Sequence, residues 1–203
     1  MLAELSIQAL LEKTAGAAPV PGGGSMSALS GAIAASLTEM VANLTIGRKK
    51  YAAVSEEMQA IAAEAAAGRK KMTAAIDRDA DAYKQVVAAF TLPKGTDEEK
   101  AARTKAIQDA LKSAALVPLE AAGISLSLME LAGRALAKGN KNAYSDAAVA
   151  VMHARTAALG AIYNVKINLA DIKDASFVSE TGLKADAIEK KVRQLEKALL
   201  DGK

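Results

Sequence analysis

Apolar residues in this chain recur at intervals of three and four from one end to the other, and no alternating run is long enough to make a strand. That pattern restricts the fold to packed helices. Composition says how closely they pack: alanine fills 48 of 203 positions, aromatic residues are only 3%, and tryptophan is absent. Alanine has the best helix propensity and lets backbones approach. The expected fold is therefore all-α, an antiparallel helical bundle with long central helices, forming one domain over 1–203.

The punctuation sets the elements. Residues 3–13 form a short amphipathic helix along Leu5, Ile7, Leu10 and Leu11. Residues 14–24 carry two prolines and three consecutive glycines and are expected to be a loop. Ser25 opens a helix to about Ile46, with Met26, Leu29, Ile33, Leu37, Met40 and Leu44 on one stripe and Ser36, Glu39 and Asn43 on a polar one. A long helix follows from about Ser55 to Phe90, then a Leu92–Gly95 turn. Thr96 and Glu99 have capping-box spacing. Pro118 is expected to kink or restart the helix that follows, and Gly139-Asn140 to stop it. Helices over 143–170 and 180–201 complete the chain.

Several function classes drop out at once. Without Cys and with a single His, His153, neither a thiolate nor a His-rich metal site can form, so no metal is expected. A net charge of +3, with both signs interleaved, lacks the clustered basic face that nucleic acid requires. The N-terminus has no basic region leading into a long apolar core, and the apolar runs are broken by Glu, Ser or Gly. A cytoplasmic protein without membrane or nucleic-acid partners is the expectation.

Four features carry chemistry. In the long helix the apolar line Met72, Ile76, Tyr83, Val86, Phe90 is interrupted by Asp79, while Asp77, Arg78 and Asp81 point to the expected solvent side. A carboxylate on a core-facing stripe must be paired, hydrogen-bonded or protonated. It is either structural or a tuned functional group. Asp146, His153, Asn164, Asn168 and Asp171 fall within about 60° of arc on their helix, beside Ala150, Ala157 and Gly160. That strip is either a ligand wall, with amides suited to a heterocycle, or a solvated face. Gly22, Gly23, Gly24 and Ser25 enter a helix whose first amides favour negative charge, or else form a flexible connector. Arg48, Lys49 and Lys50 follow a helix end, where they complement its dipole or dock a polyanionic tail.

Taken in order, Pro19–Ser25, Met40–Tyr51, Asp79 with Ala82-Tyr83, Leu92-Pro93-Lys94 with Glu98–Lys100, Val117–Leu119, Gly139-Asn140, Ser145-Asp146, Gly160-Ala161, Asn164-Val165 and Ile167–Leu169 resemble the cyclodeaminase/cyclohydrolase family. That family includes the C-terminal half of formiminotransferase-cyclodeaminase and stand-alone bacterial methenyltetrahydrofolate cyclohydrolases. The likeness covers about residue 3 to 177. It implies an all-α homodimer with no metal, and no cofactor beyond tetrahydrofolate, the carrier in the substrate. It places the family's catalytic aspartate on Asp79, with Asp77 the competing position. The expected activity is hydrolysis of 5,10-methenyltetrahydrofolate to 10-formyltetrahydrofolate, with formimidoyltetrahydrofolate cyclodeaminase activity as the rival and a non-enzymatic helical scaffold as the second. Substrate contacts are then expected from Gly22, Gly23, Gly24, Ser25, Asn43, Tyr83, Asp146, Asn164 and Asn168. Arg48, Lys49 and Lys50 would hold the glutamate tail.

Overall fold

The computed structural model describes residues 1–200, and six helices carry the fold. They are α1 (Ile7–Thr14), α2 (Gly23–Asn43), α3 (Ser55–Phe90), α4 (Asp97–Lys138), α5 (Tyr144–Leu169) and α6 (Ala175–Leu200). Short 3-10 turns span Leu2–Glu4, Lys49–Val54 and Lys141–Ala143. The last position of the expected 180–201 helix lies outside the described residues.

Helices α2 to α5 form an up-down-up-down ring in which each touches its two neighbours. Cross-links along three of the seams mark the antiparallel register. Glu39 pairs with Arg69 at 2.9 Å between α2 and α3, Arg78 with Glu120 at 2.7 Å between α3 and α4, and Asn168 bonds the Ala114 carbonyl between α5 and α4. Helix α6 lies across α4 and α5, held by Lys112–Asp174, Arg155–Glu196 and Lys166–Glu189. The core is alanine with Met58, Ile61, Met72, Leu128, Met129 and Ile162 fully buried among it. Small side chains hold the helices close, and the few large ones fill what remains.

Four boundaries differ from the sequence reading, each for a local reason. The first helix begins at Ile7 rather than at 3, because Ser6 caps it, accepting the Ala9 amide on its hydroxyl at 3.2 Å. Residues 97–138 form one helix that runs through Pro118. A proline at that position cannot donate to the carbonyl four residues back, Ala114. The Asn168 side-chain amide donates to that carbonyl at 2.8 Å instead. Asn168→Ala should therefore destabilise the fold by about 1–2 kcal/mol through an unsatisfied carbonyl, read as a lower midpoint in urea unfolding. Helix α6 starts five residues early because Asp174 caps it, accepting from the Phe177 amide at 3.1 Å and the Ser176 hydroxyl at 2.7 Å. Lys112 pairs with it too, and these bonds hold the Asp174 carboxyl far below the ordinary carboxylate range. Helix α2 starts at Gly23 rather than after the glycines and ends at Asn43. Asn140 clamps its exit, donating from its backbone to Thr45 Oγ1 at 2.9 Å and from its side chain to the Leu44 carbonyl at 3.0 Å. The expected capping box is present, with Glu99 N–H donating to Thr96 Oγ1 at 3.2 Å and Thr96 N–H to Glu99 Oε2 at 3.1 Å.

Helix α4 is long and apolar enough to cross a membrane, yet 56% of its most apolar window is buried inside the bundle. Leu111, Leu128, Met129, Leu131 and Leu136 are buried in the core, while Leu116 is exposed.

Candidate active site

Helix α2 begins level with residues 79–80 of α3, because Gly24 and Ser25 lie against Asp79. Beyond that level α3 has lost α2 as a neighbour. The apolar line on α3 changes character there: Met72 and Ile76 are buried, whereas Tyr83 is 42% and Phe90 51% exposed. Asp79 sits at the transition, half-buried on the lip of the bundle rather than in the middle of a buried stripe.

Its environment is built by the start of α2. The buried Ser25 hydroxyl lies 2.9 Å from Asp79 Oδ2 and 3.0 Å from the Ile76 carbonyl oxygen. The Ser25 backbone amide bonds the same carboxylate. The approach is close enough that a Cβ on Gly24 would overlap the Asp79 carboxylate. Hence glycine is required here by contact and not by backbone conformation. The α2 N-terminus also directs its first amides towards this end of the bundle. Burial nevertheless outweighs the Ser25 bonds and raises the Asp79 carboxyl above its ordinary range. Among the described residues no Lys, Arg or His forms an ion pair with Asp79.

The neighbouring acids have other tasks. Asp77 does not face solvent. It accepts the Leu2 amide at 2.5 Å and the Ala3 amide at 3.3 Å, tethering the N-terminal turn. Asp81 is exposed and pairs with Lys84 at 2.7 Å. Of the three aspartates on this stretch, Asp79 is the one set against the start of α2, where burial raises its proton affinity.

Helix α5 supplies the other wall. Asn164 faces Gly23, and its amide donates to the Gly160 carbonyl at 2.9 Å. Gly160 in turn packs so closely on Ser27 that a side chain would strike its hydroxyl. Gly22, Gly23, Gly24, Ser25, Asp79 and Asn164 therefore gather at one end of the α2–α5 pair, with Tyr83 one turn beyond Asp79 on the same face of α3. Pro21, joined to Val20 by a cis peptide bond, leads into this cluster.

The remaining expected residues are elsewhere. Asn43, Arg48, Lys49 and Lys50 lie at the opposite end of α2, about 28 Å from Gly24 along the helix. Asp146 is at the matching end of α5. Arg48, Lys49 and Lys50 are exposed, and Tyr51 next to them accepts the Lys141 amide on its hydroxyl at 3.0 Å. Asn43 and Ser36 border a shallow hollow of about 380 Å³ with Glu39, Met40, Leu44 and Arg69. The Glu39–Arg69 pair there was not singled out from the sequence. A polar stripe at helical spacing was the only signal. Asn168 has its amide committed to Ala114. One arc on a helical wheel had joined Asp146, Asn164 and Asn168, but a wheel discards distance along the axis. Among the described residues no three His, Asp or Glu side chains converge as a metal site needs.

Comparison with known proteins finds relatives over most of the chain. A family model described as formiminotransferase-cyclodeaminase matches residues 6–187. The chain is 42% identical over 175 residues to a methenyltetrahydrofolate cyclohydrolase of Methylorubrum extorquens, covering 86% of this chain and 84% of that protein. It is 33% identical over 180 residues to the formimidoyltransferase-cyclodeaminase of Rattus norvegicus, covering 89% of this chain but only 33% of that longer protein. The fold matches a solved formiminotetrahydrofolate cyclodeaminase of Thermotoga maritima with a TM-score of 0.84 and 30% identity, covering 100% of this chain and 98% of that one.

Proposed function

Because the chain belongs to the formiminotransferase-cyclodeaminase family, we propose that it hydrolyses 5,10-methenyltetrahydrofolate to 10-formyltetrahydrofolate, with Asp79 as the acid–base carboxylate. The observation that carries this is Asp79 itself: half-buried, held by Ser25, without a cationic partner among the described residues and raised in proton affinity by burial. The identity to a cyclohydrolase over most of both chains supports the same choice of reaction.

The substrate carries a cationic N5–C–N10 amidinium. Water adds to its carbon as Asp79 takes a proton from that water. Asp79 then gives the proton to N5, the C–N5 bond breaks, and the carbinol hydroxyl proton is released to solvent as the N10 formyl group forms. One positioned carboxylate serves both half-reactions, and its negative charge stabilises the cation. Asn164 orients the pterin, and the bare backbone at Gly22, Gly23 and Gly24 admits it closely. Tyr83 flanks it. No metal or further cofactor takes part in this chemistry.

The reading includes a homodimer in the cytoplasm. Helix α2 leaves Ile33, Met40 and Leu44 exposed, and α5 leaves Val149, Met152, Tyr163 and Ile167 exposed. A second copy laid antiparallel along this face would cover apolar surface that otherwise meets water. It would also bring the Arg48–Lys50 end of one chain, with Asn43 and Asp146, to the Asp79 end of the other. The basic run then holds the anionic glutamate tail of the folate.

Cyclodeaminase activity is the second reading, favoured by the full-length structural likeness to the Thermotoga maritima protein. One assay pair separates the two. We expect loss of methenyltetrahydrofolate absorbance, undiminished after dialysis against a chelator, and no ammonia from 5-formiminotetrahydrofolate. Ammonia release without methenyl hydrolysis would reverse the assignment. A protein whose melting temperature responds to no reduced folate would instead be a scaffold.

A further inference from the structure

The Ser25 hydroxyl has one proton and two acceptors within reach. Asp79 Oδ2 is at 2.9 Å and the Ile76 carbonyl oxygen at 3.0 Å, and the side chain is buried away from water. A carbonyl can only accept, whereas a carboxyl group accepts when ionised and donates when protonated. The two contacts are therefore not equivalent. We propose that Ser25 is a two-way positioning residue, whose hydroxyl donates to Asp79 when it is a carboxylate and turns to the Ile76 carbonyl, accepting the Asp79 proton bond, when it is an acid.

The geometry permits this without moving any backbone. With Asp79 ionised, the Ser25 hydroxyl hydrogen points at Oδ2 and the backbone amide of Ser25 adds a second bond. When Asp79 takes up a proton, rotation about the Ser25 Cβ–Oγ bond aims the hydroxyl hydrogen at Ile76, and an oxygen lone pair receives the Asp79 O–H. No proton is transferred through Ser25. The oxygen–oxygen contact persists in both states, so the carboxyl keeps one orientation while its charge changes. Three other hydroxyls on α2 lack this choice: Ser27, Ser36 and Thr38 donate back to Gly23, Ala32 and Ala34 within their own helix.

The charged groups around Asp79 are otherwise engaged. On α3, Asp77 takes the Leu2 and Ala3 amides, Arg78 pairs with Glu120 and Asp81 with Lys84. Tyr83 is one turn away. The N-terminal ammonium pairs with Glu4 at 3.6 Å, and from α5 the neutral Asn164 lies against Gly23. Control of the Asp79 proton thus rests with burial and Ser25.

The proposal extends the acid–base reading of Asp79 above, but its test does not need turnover. Carbon-13 NMR of the Asp79 carboxyl is followed against pH in the full chain and in Ser25→Ala. Ser25→Ala removes a charge-assisted bond from the ionised form and a weaker neutral bond from the acid, so the titration midpoint should rise by the difference, up to about one pH unit. Crystal structures on either side of the wild-type midpoint should both keep Ser25 Oγ within hydrogen-bonding distance of the carboxyl. Should Ser25→Ala not fold, Ser25→Cys keeps the size with a weaker donor, and its midpoint should also rise. An unmoved midpoint in a folded variant, or an Asp79 that swings away from Ser25 when protonated, overturns the proposal. A wild-type protein that hydrolyses no folate would remove the functional reading and leave both measurements decisive for Ser25.

Discussion

Asp79→Asn should lower turnover of methenyltetrahydrofolate by at least about 100-fold, the usual loss for a general acid–base group, with the helical circular dichroism spectrum intact. The same variant should melt no lower than wild type at pH 7. Burial raises the proton affinity of Asp79 in the folded chain above that of the unfolded chain. The ionised carboxylate therefore costs stability at neutral pH, and the cost is relieved as pH falls through the folded value. Asparagine keeps the shape and removes the charge, so any gain in melting temperature at pH 7 should shrink in acid. Near wild-type turnover would remove Asp79 from the chemistry. A large loss of stability at pH 7 would show that the carboxylate was structural.

Gly24→Ala should be as damaging to activity while being conservative on paper. In a plain helix, alanine in place of glycine stabilises by about 1 kcal/mol. Here the added carbon would occupy the space of the Asp79 carboxylate. Overpacking of a tight contact costs about 1–3 kcal/mol, so the expected net effect is a loss of up to about 2 kcal/mol. The carboxylate, being the more movable partner, should also be pushed off Ser25. We expect turnover to fall by at least about 100-fold, as for loss of the acid–base group. Gly47→Ala serves as the control, because nothing lies within 4 Å of its would-be Cβ and only its φ of +75° is disturbed. Equal activity in Gly24→Ala and wild type would mean that Asp79 does not need the position seen here.

The two variants probe one contact from its two sides. The start of α2 and the middle of α3 meet there because the first residues of α2 carry almost no side chain. Fifty-four residues separate Ser25 from Asp79 in the chain. Their contact depends on the antiparallel register that Glu39–Arg69 and Gly31 against Met72 also mark. Mutations along that seam should therefore reach the site without touching it.

Local patterns determined much of this protein. Helical spacing and alanine content specified an all-α bundle, because periodicity along a chain is a property of neighbours three and four apart. The Thr96–Glu99 capping box was legible for the same reason, being complete within four residues. Asp79 stood out because it broke an apolar line, and its half-buried setting agrees with that. What no local pattern held were the partners that decide each exception. Pro118 did not break α4, because Asn168, fifty-four residues from Ala114, satisfies the carbonyl left free. Gly23 and Gly24 joined α2 instead of the loop, where Asn164 and Asp79 lie against them from two other helices, while Gly22 stayed outside as the N-cap. Asn43, Arg48, Lys49 and Lys50 were expected at one site with Asp79, yet lie a helix length from it in the same chain. Spacing in sequence gives the angle of a residue about its helix axis. Where it stands along the bundle, and what it meets there, is decided only when the helices pack.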